Sequence, residues 1–135
     1  MSTLDPTAGP GRTSPAERPE PGRLGQGEPL REIFVFGRLT WDVTAGLELA
    51  RNRPLIAVDI TDLRLLLPFV RIDPAWAAVA DLARPLLIAP VPELNTNLPL
   101  DGWHRVHRAL HLDVGRLPAR LLTAADERRI RLQGD

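Results

Sequence analysis

Hydrophobic positions change their spacing several times along this chain, and each change predicts an element. Glu32-Ile33-Phe34-Val35-Phe36 is aromatic and β-branched and stops at Gly37, which predicts a short strand and a turn. From Thr40 to Arg51 the period lengthens. Val43, Leu47 and Ala50 recur at helical spacing, Thr40 or Asp42 can cap the run and Pro54 stops it, so a helix is predicted there. Leu55 to Ile60 is almost continuously apolar, the pattern of a strand covered on both faces. Thr61 and Asp62 can cap a short helix through Leu67, which Pro68 breaks.

Phe69-Val70-Arg71-Ile72-Asp73 leads into Pro74, a favoured first helical residue behind an Asp cap, and predicts a helix to about Ala83. Leu86 to Val91 is a second apolar strand, whose prolines suggest a sheet edge or a bend. Asn95-Thr96-Asn97 signals a turn, and Leu98-Pro99-Leu100 a stub of strand. Asp101-Gly102 then opens a helix from Trp103 to Leu112, closed by Gly115. A strand at Leu117–Leu122 and a charged helix from Ala124 to Leu132 complete the pattern. The expected fold is α+β, a small mixed sheet with helices, in one domain over residues 31–135.

Composition changes the picture at the N-terminus. Residues 1–30 hold six of the fourteen prolines and five of the ten glycines, with few large apolar side chains, so they cannot bury enough surface to offset ordering entropy. They read as a disordered tail. The 135 residues include 17 Lys+Arg, all of them arginine, against 17 Asp+Glu, for a formal charge of zero. That balance argues against a dedicated nucleic-acid coat, and Asp101, Asp113 and Asp126 interrupt the cluster of Arg105, Arg108, Arg116 and Arg120. Specific DNA recognition is therefore not expected. Arginine in place of lysine, with 23 leucines, fits a bacterial GC-rich genome. The absence of cysteine excludes thiol catalysis and disulfides. No apolar run suits a secretory signal or a membrane span, so a cytoplasmic protein is expected.

Candidate chemistry gathers in one segment, Asp101 to Leu110. A strand that turns at glycine into a helix exposes the first N–H groups of that helix, and the positive end of the helix dipole attracts an anion. Gly102 lets the backbone approach a ligand. His104 and Arg105 stand in the first turn, where they could add charge-assisted bonds to phosphate oxygens. Helical spacing sets Trp103, Val106 and Leu110 on a core face and His104, Arg108 and His111 on a basic rim. No metal site is expected of His104, His107 and His111, because no cysteine or carboxylate follows at ligand spacing and Arg108 would repel the ion. His107 is expected to be half-buried near Trp103, and Trp41, Trp76 and Trp103 to be core. Ser2 and Ser14, both in the tail, leave a serine hydrolase without a nucleophile.

Asp101-Gly102-Trp103-His104-Arg105, followed by an apolar helix, Gly115 and the Leu117-Pro118-Ala119-Arg120-Leu121-Leu122 strand, resembles the ParB/sulfiredoxin superfamily and its ParB-like nuclease-type domains. The upstream order, a strand at Pro54–Ile60, a helix at Pro74–Ala83 and a strand at Leu86–Val91, agrees with that family, and the resemblance covers roughly Pro54–Leu122. It implies a domain that binds a nucleoside triphosphate, ATP or CTP, with or without Mg²⁺, on a phosphate turn matched by Gly102, His104 and Arg105 and flanked by Trp103 and Arg108. Trp103 stands where sulfiredoxins carry their catalytic cysteine, so sulfinic-acid reduction is not expected. The helix-turn-helix and dimerisation domain of partition proteins are not expected either. Free-serine kinases of the superfamily suggest Asp101 as a base or Mg²⁺ ligand, against its plainer reading as a helix cap.

Three functions follow as expectations. The first is a regulatory or accessory nucleotide-binding module. The second is a small phosphotransfer or phosphohydrolase enzyme of kinase, NTPase or nuclease type, which needs a second acid from Asp59, Asp62 or Asp73. The third is a protein-interaction domain without ligand, acting on a protein partner or as a homodimer.

Overall fold

The computed structural model describes residues 30–134. The tail expected over Met1–Leu30 lies, apart from Leu30, outside the described residues.

The aromatic strand predicted at the start is there as β1 (Ile33–Phe36), and the two residues Gly37 and Arg38 turn it into β2 (Leu39–Asp42), with Phe36 opposite Leu39 and Phe34 opposite Trp41. This corrects the helix expected from Thr40. Leu39 and Trp41 are buried and alternate with half-buried Thr40 and Asp42, a period of two that suits a strand. The helix α1 (Val43–Ala50) begins only after Asp42, whose carboxylate accepts from the Ala45 N–H at 3.0 Å.

The run at Leu55–Ile60 forms β3 (Ile56–Asp59), but at the edge of a sheet rather than covered on both faces. Thr61–Leu65 and Leu67–Phe69 are two 3₁₀ turns with Leu66 between them, in place of one short helix. The helix expected to reach Ala83 is a single turn, α2 (Pro74–Ala78), capped by Asp73. β4 (Leu86–Val91), a 3₁₀ turn at Pro92–Leu94 and β5 (Thr96–Asp101) make an antiparallel pair. The turn signal at residues 95–97 is thus real at Asn95, which is left-handed at φ +52, while Thr96 already belongs to the strand. After β5 come α3 (Trp103–His111), β6 (Arg116–Leu121), α4 (Ala124–Ile130) and β7 (Arg131–Gln133). The last helix is therefore shorter than expected, its end converted into a strand that pairs with β2.

Two sheets result, β1-β2-β7 and β3-β6-β4-β5. The second is mixed, with β4 parallel to β6 and the other pairs antiparallel. β4 is not an edge strand, which removes the first of the two readings, edge or bend, that its prolines suggested. Its parallel ladder with β6 covers only Leu86–Ile88, so Pro90 lies beyond the bonds it would otherwise interrupt. Successive residues of β4 point to opposite faces. Leu86 meets the Gly102 turn, while Leu87 lies so close to Gly46 of α1 that a Cβ there would stand 2.9 Å from it. Helices thus cover this sheet on both sides, which is why Leu86, Leu87, Ile88 and Ala89 are all buried.

Candidate functional site

The segment singled out by its chemistry is the junction of β5 with α3. Strand pairing fixes Asp101 opposite Leu87, and Gly102 then takes φ +107, a left-handed conformation that side-chain-bearing residues rarely adopt. A Cβ at this position would also meet Leu86 Cδ2 at 2.4 Å and the Arg105 guanidinium at 2.9 Å. Gly102 is itself the residue before α3, and it offers no side-chain cap. Asp101 does not cap the helix either. Its Oδ2 accepts instead from Arg105 Nη2 at 3.3 Å, one turn along.

Arg105 points inward. It is 8% exposed, and its Nη1 donates to the Pro85 carbonyl at 3.0 Å, so its planar fork ties the entry to β4 and the end of β5 to the first turn of α3. Burial draws its pKa below the ordinary arginine value, and the Asp101 carboxylate opposes that shift. The guanidinium stays cationic, since arginine starts so far above neutrality. Trp103 is buried as expected, its indole N–H donating to the Pro99 carbonyl at 2.6 Å, and Val106 and Ala109 continue the core face.

The rim residues face a different environment. His104 is half-buried and its Nε2 accepts from the Asp73 N–H at 3.0 Å, which leaves Nδ1 to carry the ring proton. That contact brings one of the three upstream acids beside the turn. Asp73 Oδ1 accepts from the Ala75 N–H at 2.9 Å, capping α2. Asp59, by contrast, accepts from the Thr61 N–H, and Asp62 is exposed in the following 3₁₀ turn. Arg108 Nη1 donates to the Ala80 carbonyl at 2.5 Å. His107 stacks on His111, with ring centroids 4.6 Å apart, rather than on Trp103. Burial first, then the neighbouring His111, lowers its pKa.

Asp101, Gly102, Trp103, His104, Arg105 and Arg108 therefore occupy one small region with two orientations. His104 and Arg108 lie on the partly exposed side with Asp73, while Trp103 and Arg105 build the support beneath. The backbone partners that hold Arg108, Arg105 and His104 are the Ala80 and Pro85 carbonyls, which accept from the two arginines, and the Asp73 amide, which donates to the histidine. Sequence reasoning missed these, because backbone groups carry no mark in the sequence. Among the described residues no cluster of three or more His, Cys, Asp or Glu could hold a metal ion, and no helix is long and apolar enough to cross a membrane. Comparison with protein-family models, with curated proteins and with solved structures returns no match for this chain.

Proposed function

We propose that the junction of β5 and α3 is a phosphate-binding turn of ParB/sulfiredoxin character, which takes the phosphates of a nucleoside triphosphate, ATP or CTP, in a regulatory or accessory module. The observation that carries this reading is Gly102, a left-handed glycine between the end of a strand and a nine-residue helix, where the dipole of α3 is positive. His104 and Arg108 are the side chains on the partly exposed side of that turn. Arg105 is a positioning residue in this reading, since its guanidinium is engaged with Asp101 and Pro85.

The test is thermal denaturation with ATP, CTP, GTP and ADP, with and without Mg²⁺, on the wild type and on Arg108→Ala and His104→Ala. A ligand of the native state stabilises by mass action, about 2.7 kcal/mol at roughly a hundred times its Kd. The expected result is a rise in Tm with one triphosphate that each variant weakens about tenfold, the effect of losing about 1.4 kcal/mol of binding. No shift at millimolar nucleotide overturns the proposal. Product release with Mg²⁺ in the same samples would move the assignment to a phosphotransfer or hydrolytic enzyme, with Asp73 and Asp101 as its acids.

A second reading, an interaction domain without ligand, draws on the burial of Arg105. The most basic group of the motif already satisfies two internal acceptors, so the turn has a structural use whether or not an anion binds.

A further inference from the structure

His107 and His111 stand one turn apart on the same side of α3, toward the end of the helix that the phosphate turn does not use. His107 is half-buried and His111 exposed, while Val106 and Ala109 between and beside them face the core. The two imidazoles stack on each other, with ring centroids 4.6 Å apart and planes 29° from parallel. Neither ring has a part in the site described above.

Their spacing suits a shared metal ion. An imidazole nitrogen binds a late divalent metal at about 2.0–2.1 Å, which puts each ring centre about 3.2 Å from the ion and two such rings about 5 Å apart at a near-tetrahedral angle. The observed separation is close to that. Turning one nitrogen of each ring toward a common point takes rotation about the outer side-chain torsion, which is broad for histidine. Two histidines four residues apart on one helix are also the pair by which a metalloprotease helix holds zinc. α3 ends at His111, so an ion between the rings lies against the last turn, where the helix dipole is negative and favours a cation.

Two features of the sequence argue against an ion at this helix. The first is the charge of Arg108, but its Nη1 donates to the Ala80 carbonyl at 2.5 Å, and the charge that acts on His107 is that of His111. Burial, with His111 behind it, holds the His107 pKa below the ordinary 6.5, so at neutral pH the ring is neutral and one of its nitrogens is open to a metal. The second feature is the want of a cysteine or carboxylate ligand. That sets the kind of site rather than its existence, because two imidazoles leave the other positions of the ion to water. We infer that His107 and His111 form an open two-imidazole site for a late divalent transition metal, copper ahead of zinc. Magnesium and calcium, which take oxygen ligands, are excluded by the same chemistry. The inference is independent of the phosphate turn, and either can fail without the other.

Calorimetric titration and thermal denaturation of the full chain at neutral pH with Cu²⁺, Zn²⁺ and Mg²⁺, each alone and without nucleotide, test it. One Cu²⁺ is expected to bind per chain and to raise Tm by mass action, with Zn²⁺ weaker and Mg²⁺ without effect. His107→Ala and His111→Ala should each weaken Cu²⁺ binding at least tenfold, since either leaves a single ligand. The electron-spin resonance of bound copper should show coupling to two nitrogens in the wild type and to one in each variant. His111 is exposed, so its variant decides the matter if the half-buried His107 cannot be replaced without unfolding. No binding of Cu²⁺ at submillimolar concentration overturns the inference. So does binding that the folded variants leave undiminished, which would place the ion on another group such as His104 or the chain's amino terminus.

Discussion

Arg105 is the residue on which the shape of the β5–α3 turn depends. Its guanidinium is the shared donor of the Pro85 carbonyl and the Asp101 carboxylate, both removed from full solvent. Truncating it leaves a carboxylate without its cation and a carbonyl without its donor. Arg105→Ala should therefore cost about 3 kcal/mol in urea denaturation, as breaking a buried pair does. Arg105→Lys should recover little, because an ammonium cannot span two acceptors in the fork geometry of a guanidinium. A loss below about 0.5 kcal/mol for the alanine variant, the range of a neutral surface change, would remove Arg105 from this role. Gly102→Ala should cost about 2 kcal/mol, since it combines a left-handed φ with a Cβ 2.4 Å from Leu86. Gly102 and Arg105 touch, so the double variant should lose less than the sum of the two.

At the scale of elements, α4 is the helix whose start is most fully specified. Thr123 accepts from the Asp126 N–H at 3.0 Å, and the Asp126 carboxylate accepts from the Thr123 N–H at 3.1 Å, a reciprocal capping box. Thr123→Ala should destabilise by about 1 kcal/mol in the same denaturation experiment. A loss that reached the cost expected of Arg105→Ala would mean that Thr123 supports more than its own helix. Features set by neighbours in sequence were legible in this chain. The glycine start of α3 and its core residues Trp103 and Val106 could be read directly, and so could the strand character of Leu86–Val91 and of Leu117–Leu121. Features set by distant partners were not. β2 was hidden because Trp41 and Asp42 continue smoothly into the helical spacing of Val43, Leu47 and Ala50. β7 follows a helix without a break, and what makes Arg131–Gln133 a strand is β2, far away in sequence. The exposure of β3 depends on the order of strands in the sheet, which its apolar composition does not encode. In the candidate site the turn was legible, but the inward course of Arg105 was not, since one of its acceptors is a carbonyl twenty positions back.

At the scale of the whole molecule, one polar network binds the two sheets together. Glu127 of α4 is 1% exposed, and its Oε2 accepts from the Trp41 indole N–H on β2 at 2.8 Å and from Arg131 Nε on β7 at 2.7 Å. Arg131 also lies over the Trp41 ring and forms a bidentate pair with Glu93, in the 3₁₀ turn between β4 and β5. Its pairing with Glu93 is the largest cause of a raised Arg131 pKa, and the same bond holds the Glu93 carboxyl down at about 2, from an ordinary 4.5. The unfolded chain therefore takes up the Glu93 proton first as pH falls. The contribution of this pair is present above about pH 4.5 and is lost on acidification toward about pH 2. Glu93→Gln should lower Tm at neutral pH, and the gap between variant and wild type should close across that interval. High salt should narrow the gap at neutral pH as well, because the pair is open to solvent. A gap that stayed constant from neutral pH down to about pH 2 would mean that the Glu93 carboxylate charge does not help to hold the sheets together, leaving that role to the buried Trp41–Glu127 bond.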